Sequence, residues 1–565
     1  MVVSTPPSQP GSPLIAPFAR EAEAPRSGSV ALPDAEERAA RQVMWGMLVI
    51  AVLIRAAFWA YTDRTWEDAL ITVRHAENAA QGVGLTHHPR QGAPIHGFTS
   101  PISVLIPLAA ECVLPGSGIP AQKGVSLLAA AATIYCAYRV LRHPDIRLSP
   151  AFLGFALGYL AIEHHQILFG MAGMETQCIV AIVWWSLWMF LDGRTGWLGV
   201  ACGAAMWGRP DGLFLDAALW LGLVLERRWK AVIAVPLIAG AVFLPWIVFT
   251  EMYFGSFVPH TVIAKKNTRT SFTFGATSLG EFLSAWGRAL ARRFNNLRLW
   301  LAPSFGGNGG GTVNFLRGAR PIQAVTLLGS ACGGLTLLRS SARVLPLFVV
   351  IYGGYLLTCM EGAFGWYLPP WLGVVAALFA LACQRAAERC PAGVLRAVPV
   401  AVVVGMLGLY AVVLTRTFPA ERMIQRELED GVRTPMGRWL GANVPEGEWI
   451  ACECLGYLGY HARRPMLDFP GLSSPRSVRA LETQPRTLSA LIDRERPEWL
   501  ALRAIEVADL EREFPACRAE YVERQRFRAE DDFGRRLAEC LWLEPESFLS
   551  GDTEFVALER RKSAN

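Results

Sequence analysis

Charge is scarce in this sequence. Asp, Glu, Lys and Arg make up 18% of its 565 residues, where a soluble domain carries about 25%. Apolar residues reach 52%, and mean hydropathy is +0.29. This balance excludes disorder as the state of the whole chain. No G-x-y or heptad pattern recurs, which excludes collagen and coiled coil, and no repeat with a period of about 20–50 residues is present. The 12 cysteines contain no C-x-x-C pair, so the usual zinc and thiol-redox spacings are missing. Eight of them, Cys112 to Cys390, lie in or beside apolar segments, where the thiol acts as a small hydrophobe. Cys452, Cys454, Cys517 and Cys540 fall in the last quarter, and a Cys517–Cys540 bridge would require an oxidising compartment. Residues 1–42 are rich in Pro, Ser and Ala and lack the apolar core of a signal peptide, which reads as a disordered cytoplasmic leader.

What is present is a series of apolar runs, with charge returning only near the end. Met44 to Tyr61 is long enough to span a bilayer and follows Arg20, Arg26, Arg38 and Arg41, so its N-terminus is expected in the cytoplasm. Arg55, inside this run, is expected to snorkel toward the interface. Pro101 to Leu114 is short and begins at Ser-Pro, and reads as a helix lying at the external interface. Further spans are expected at Val125 to Val140, Ala151 to Ile167, Cys178 to Leu191, Trp197 to Trp207 and Gly212 to Leu225. Others follow at Ala231 to Phe249, Ile322 to Leu338, Val344 to Thr358, Tyr367 to Cys383 and Val394 to Leu414. The turns that this path puts in the cytoplasm carry Arg139, Arg142, Arg147, Arg194, Arg227, Arg228, Lys230, Arg339, Arg343, Arg385 and Arg389. The net charge of +6 therefore records membrane topology and not nucleic-acid binding. The expected fold class is a polytopic α-helical membrane protein with about eleven spans.

Three parts follow: the leader 1–42, a transmembrane module 43–415 and an external soluble domain 416–565. Within the module, external loops 62–122 and 250–321 are expected to carry the active site. The last part mixes strand-like stretches (Trp449 to Cys454, Trp499 to Leu502, Glu554 to Leu558) with helical ones (Ala420 to Asp430, Val507 to Glu513), as an α/β domain does. The glycine run Gly306-Gly307-Asn308-Gly309-Gly310-Gly311 lacks the Lys-Ser/Thr of a phosphate loop and reads as slack or a gate.

The chemistry-bearing residues gather at external ends of spans. Glu67 and Asp68 are adjacent carboxylates that raise each other's proton affinity when dehydrated. On a helix, Arg74 lies two turns on, near the same face as Glu67. A carboxylate pair with a cation suits a general base opposite an anionic leaving group; the plain alternative is a solvated helix start with its acids favoured by the dipole. His87, His88, His96, His164 and His165 fit no standard zinc spacing. A hard divalent ion, Mg2+, Mn2+ or Ca2+, suits such carboxylates better, with Glu67 and Asp68 as its ligands if one is held.

Glu67-Asp68-Ala69-Leu70-Ile71-Thr72, Arg74-His75-Ala76-Glu77-Asn78, Gly82-Val83-Gly84-Leu85 and Gly97-Phe98-Thr99-Ser100-Pro101 follow one another in the first external loop. Gly173-Met174-Glu175-Thr176, Gly208-Arg209-Pro210-Asp211, Phe254-Gly255-Ser256-Phe257-Val258-Pro259-His260-Thr261 with Lys265, and Trp366-Tyr367-Leu368-Pro369 come later, then Asp468 with Gly471-Leu472. This ordered set, spread over some 400 residues, resembles the motifs of polyprenyl-phosphate-sugar-dependent glycosyltransferases of the GT-C fold. Within them it is most similar to the terminal arabinofuranosyltransferases of the actinobacterial cell wall and their relatives. Glu67 departs from the family's first Asp, His96 stands where relatives carry Glu, and His260 replaces an Asn. These departures leave the sugar and the acceptor open.

The resemblance implies a GT-C module in a bacterial cytoplasmic membrane with its site on the external side. It also implies a polyprenyl-phosphate sugar donor, with arabinofuranose as one candidate sugar, and an acceptor hydroxyl on an envelope glycan, lipid or protein. Asp68 or Glu67 would serve as base, and Arg74, Arg209, Lys265 and Lys266 would hold the donor phosphate. Trp66, His96, Glu175, Asp211, His260, Trp366 and Tyr367 would contact sugar or acceptor. Enzymes of this fold divide on metal use, so the resemblance leaves the cofactor open. The alternative is a transporter or flippase of lipid-linked sugars, for which repeated halves and midplane ionisable groups would be the sign.

Overall fold

The protein is described by a computed structural model that covers residues 34–91, 94–268, 278–281, 283–284, 287–288, 304–305, 313–314, 320–358, 364–391, 393–541 and 550–561. The side chain of Lys266, the run 306–311 and residues 1–33 lie outside the described residues. Helix α1 (Asp34–Thr62) begins inside the expected leader, because Glu36 and Glu37 pair with Arg142 at 3.1 and 2.8 Å. Helices α2 (Glu67–Ala80) and α3 (Pro101–Val113) follow, the latter capped by Ser100 with Pro101 at its first position. Next come α4 (Gly118–Leu141), α5 (Pro150–Ile162), α6 (His164–Met171), α7 (Thr176–Leu191), α8 (Thr195–Gly208), α9 (Gly212–Leu225), α10 (Trp229–Phe254) and α11 (His260–Thr268). After the short antiparallel pair β1 (Ser304–Phe305) and β2 (Val313–Asn314) come α12 (Arg320–Leu337), α13 (Val344–Thr358), α14 (Leu368–Arg389) and α15 (Val394–Met423).

Eleven helices follow the expected spans: α1, α4, α5, α7 to α10 and α12 to α15. Among the described residues, six segments are long and apolar enough to cross a membrane by length and composition. The shorter ones pack as a bundle around residues such as Phe152, Trp184, Phe190, Phe348 and Phe379. The basic turns collect at one end of this bundle. Arg139 faces Asp192 at 3.6 Å, Arg228 donates to the Phe190 carbonyl at 3.1 Å, Asp145 accepts from the Ser341 amide at 2.9 Å, and Gln384 accepts from the Ser149 amide at 2.7 Å. The motifs singled out in the sequence lie at the other end.

The span expected over Ala151 to Ile167 is broken at Glu163 into α5 and α6. A helix end leaves carbonyls without partners, and Arg55 fills the need: it donates to the carbonyls of Leu160, Ala161 and Gln166 at 3.1–3.2 Å and to Gln177 at 3.0 Å. Arg55 is therefore buried, 1% exposed, and does not snorkel.

The C-terminal domain continues directly from the bundle. Helix α15 runs on through a π-helical stretch, Ile424–Arg433, into α16 (Thr434–Asn443). Beyond it lie β3 (Ile450–Cys452), α17 (Leu455–Ala462), β4 (Met466–Asp468), α18 (Pro475–Ala480), α19 (Leu488–Glu495), β5 (Trp499–Arg503) and α20 (Ala504–Glu513), with strands β6 (Tyr521–Arg528) and β7 (Glu554–Arg560) last. The sheet order is β4-β3-β5-β7-β6, with β4, β3 and β5 parallel and β7 antiparallel to both neighbours. One face packs α17 and the end of α15, with Ile71 of α2 in the same core; the other packs α19 and α20. Cys517 and Cys540 are both free thiols, so they form no bridge.

Candidate active site

Helix α2 sets the site. Its start is pinned to the loop after α6 by the Trp66 amide, which donates to the Ala172 carbonyl at 2.9 Å. Gly173 makes the approach possible: its φ of +83° suits glycine, and a Cβ there would lie 3.2 Å from Ala69. Asp68 and Glu175 are thereby held near each other, and Asp211 and Arg209, in the turn between α8 and α9, join them. Arg209 faces Asp211 at 3.2 Å and Glu175 at 3.7 Å, donates to the Trp366 carbonyl at 3.1 Å and lies 4.6 Å over the Tyr367 ring. Asp211 also accepts from Tyr352 at 2.5 Å. Glu175 and Tyr367 each lie within electrostatic reach of Asp68, Asp211 and Arg209. Lys265, on α11, brings its charge to Asp68.

Burial raises Asp68 above the ordinary aspartate range, Lys265 pulls it back, and Glu453 from the C-terminal domain pushes it further up. Burial likewise raises Glu175 against the pull of Arg209. Trp66, only 6% exposed, packs edge-on against Phe169 and Trp366 with centroids at 5.1 and 5.9 Å. It supports the cluster from behind, while Trp366 and Tyr367 remain half-buried beside it. Phe169 was not legible as a site residue, since it sits in an apolar run.

Glu67 and Arg74 do share a face, as their spacing requires, but that face meets the C-terminal domain. Glu67 accepts from the Gly456 amide at 3.1 Å, where a Cβ would lie 2.2 Å from the Glu67 side chain, and it faces Arg433 at 3.6 Å. Arg74 is buried in a pair with Glu77 at 3.1 Å, and Glu77 accepts from Tyr460 at 2.5 Å. The structure thus separates the adjacent acids: Asp68 faces the cluster and Glu67 the docked domain. Burial pushes Glu67 up to about 8, against Arg433 and with the help of Glu453 and Glu429. Glu67→Gln keeps the length of the side chain and an oxygen for the Gly456 amide. Its single-turnover transfer rate should fall less than about tenfold, or about 1.4 kcal/mol.

His96 and His260 are not brought to the cluster among the described residues. His96 stacks on Phe254 at 4.9 Å and meets Phe98 and Trp246 edge-on. The His260 amide donates to the His96 carbonyl at 2.9 Å, and its ring meets the backbone of Gly471 and Ser474. His260 ties its loop to the C-terminal domain, and His96 packs among the aromatic rings beneath it. Glu163, His164 and His165 converge with ligand atoms within 4.8 Å, away from His87, His88 and His96. The Glu163 carboxylate accepts from the His165 Nδ1–H at 2.7 Å and from the Gln166 amide at 3.1 Å, with Arg55 as its nearby cation.

An apolar helical bundle with a polar cluster at one end and an α/β domain docked over it is the GT-C membrane fold. The chain is similar to the oligosaccharyltransferase of Archaeoglobus fulgidus in its apo form, at TM-score 0.54 and 12% identity, over 86% of this chain and 73% of that one. The same enzyme solved with an inhibitory peptide and a dolichol-phosphate matches at TM-score 0.52 and 12% identity, over 86% and 73%. ArnT from Cupriavidus metallidurans in the apo state matches at TM-score 0.51 and 10% identity, over 92% and 98%. At such identities the likeness is one of fold. A domain of unknown function (DUF8728) matches residues 422–543. No curated protein matches the sequence.

Proposed function

We propose that this chain is an inverting glycosyltransferase of a bacterial cytoplasmic membrane. It moves a sugar from a polyprenyl-phosphate donor to a hydroxyl of an envelope glycan, lipid or protein on the external side. The observation that carries this reading is the convergence of Asp68, Glu175, Asp211, Arg209 and Lys265 at one end of a GT-C bundle. The oligosaccharyltransferase that shares the fold binds dolichol-phosphate, which supports a lipid-phosphate donor. The sequence motifs favour a pentofuranose such as arabinofuranose.

In this reading Asp68 accepts the proton of the acceptor hydroxyl as its oxygen forms a bond to the anomeric carbon. The bond from that carbon to the phosphate oxygen breaks, and its electron pair leaves on the polyprenyl phosphate. Lys265 serves the leaving phosphate. Arg209, already matched by two carboxylates, holds Glu175 and Asp211 for the donor hydroxyls; Arg74, tied to Glu77, belongs to the docked face instead.

The oligosaccharyltransferase has also been solved with Zn and sulfate. In this chain Glu67 is turned onto the Gly456 amide and Arg433, so Glu67 and Asp68 do not form a shared ligand pair. Of these two acids, Asp68 is the one that faces the cluster and would hold a divalent ion.

The test is transfer by the purified chain from radiolabelled decaprenyl-phosphate arabinofuranose and from a hexose analogue. Lys265→Ala should raise the donor KM about 10–100-fold, as expected for losing a charge-assisted contact worth about 1.5–3 kcal/mol. Lipid movement without any sugar transfer would overturn the reading.

A further inference from the structure

Helix α2 begins without a side-chain cap, because Trp66 stands at its N-cap and an indole has no acceptor for the first amides. Asp68 lies two residues further on, so whatever fixes Trp66 and the residues before it also fixes Asp68. The partners of those residues come from the C-terminal segment. Gln425 Oε1 accepts from the Thr65 amide at 3.1 Å, and the Tyr457 hydroxyl donates to the Thr65 carbonyl at 2.9 Å. Arg64 donates to the same carbonyl at 2.8 Å and lies 4.9 Å over the Trp66 ring.

Arg64 is 4% exposed and donates to Glu421 at 2.8 Å, Glu429 at 3.1 Å and Gln425 at 3.3 Å. Arg433 continues the series, facing Glu429 at 3.0 Å and Glu67 at 3.6 Å. Glu421, Gln425, Glu429 and Arg433 are spaced by four. In an α-helix each step of four turns about 40° past a full turn, so the last would point about 120° away from the first. The stretch Ile424–Arg433 is π-helical instead. Its i→i+5 bonds widen the turn and offset that drift, so every fourth residue joins one ladder along segment 64–67.

We propose that this ladder positions the base: Gln425 and Arg64 hold residues 64–66 so that Asp68 meets the acceptor hydroxyl opposite the leaving phosphate. The inference rests on the transferase reading above. In it Gln425 and Arg64 touch neither donor nor acceptor, and act through Thr65 and Trp66. Misplacing a reacting group by about 1 Å can cost about 10²-fold in rate, and a helix start without its own cap has little local resistance to such a shift. Gln425 is the informative member because it is neutral. Replacing it leaves no buried charge without a partner, as replacing Arg64 would.

The test uses the full chain in lipid nanodiscs, an octyl-linked arabinofuranosyl disaccharide as acceptor and each of the two donors named above, read in single turnover. Gln425→Met should lower the transfer rate about 10–100-fold while the donor KM changes less than twofold. Gln425→Glu keeps an oxygen for the Thr65 amide and should recover part of the rate. On an Asp68→Asn background, Gln425→Met should change the remaining rate less than about twofold, because the base that it positions is already gone. If Gln425→Met fails to fold, Tyr457→Phe is read in both backgrounds, with an expected loss of about threefold in the first and none in the second. An unchanged rate in a folded variant, or an equal loss in both backgrounds, overturns the inference and leaves the transferase reading standing. No turnover of either donor by the wild-type chain overturns both.

Discussion

Asp68→Asn should lower single-turnover transfer by about 10²–10⁴ while leaving the thermal midpoint nearly unchanged, since that is the usual cost of removing a general base. Asn keeps the size of the side chain and its hydrogen-bonding oxygen but cannot take the acceptor proton. The effect belongs to Asp68 and not to its neighbour, because Glu67 is committed to the Gly456 amide and Arg433. Single turnover is the decisive measurement, since slow product release would hide the loss in steady state. The pH profile gives a second check. As the proposed base, Asp68 must be ionised to act, and burial raises its pKa, so the rate should fall as pH drops through a value above the ordinary aspartate range. Lys265 favours the ionised form, so Lys265→Ala should move that acid limb to higher pH. An unmoved limb with a normal Asp68→Asn rate would remove Asp68 from the mechanism.

Arg209→Met should be among the most damaging changes to the fold itself. Arg209 is 2% exposed and is the cation between Glu175, 8% exposed, and Asp211, 5% exposed. Its loss leaves two carboxylates buried against each other, and breaking a buried pair from one side costs about 3–5 kcal/mol. The thermal midpoint in detergent should fall sharply, with aggregation on purification. Adding Glu175→Gln and Asp211→Asn to Arg209→Met should restore much of the midpoint, because no unpaired charge then remains, yet activity should stay low. Arg209→Lys should fall between, since an ammonium keeps the charge but loses the planar fork and the stacking on Tyr367. If Arg209→Met melts like the wild type, the ion cluster is not what holds this end of the bundle.

The bundle was legible because its signals are local. Apolar run length marks a span, basic turns mark one end, and the Ser100-Pro101 start marks helix α3. Strand-like stretches at Trp449 to Cys454, Trp499 to Leu502 and Glu554 to Leu558 coincide with β3, β5 and β7. Strand β6 was missed because its sequence, Tyr-Val-Glu-Arg-Gln-Arg-Phe-Arg, is mostly charged. It is an edge strand whose outward residues pair with one another and with β7, as Arg526 does with Glu523 and Glu554. Strand β4 was missed because the apolar stretch around it is cut short by Pro465 and Pro470.

The sequence by itself determined the class of the fold, the positions of the spans and the list of polar residues at their ends, because hydrophobic length and charge are read from neighbours along the chain. Which of those residues face one another was decided only by the tertiary structure. Arg55 lies buried because a helix break more than a hundred residues away leaves carbonyls to be satisfied. Glu67 and Arg74 point to Gly456 and Glu77–Tyr460, and Glu453 comes to the side of Asp68, through pairings some 385 residues apart in the chain. Such pairings follow from how the C-terminal domain docks on α2, and ion pairs between distant residues leave no periodicity for a local pattern to show.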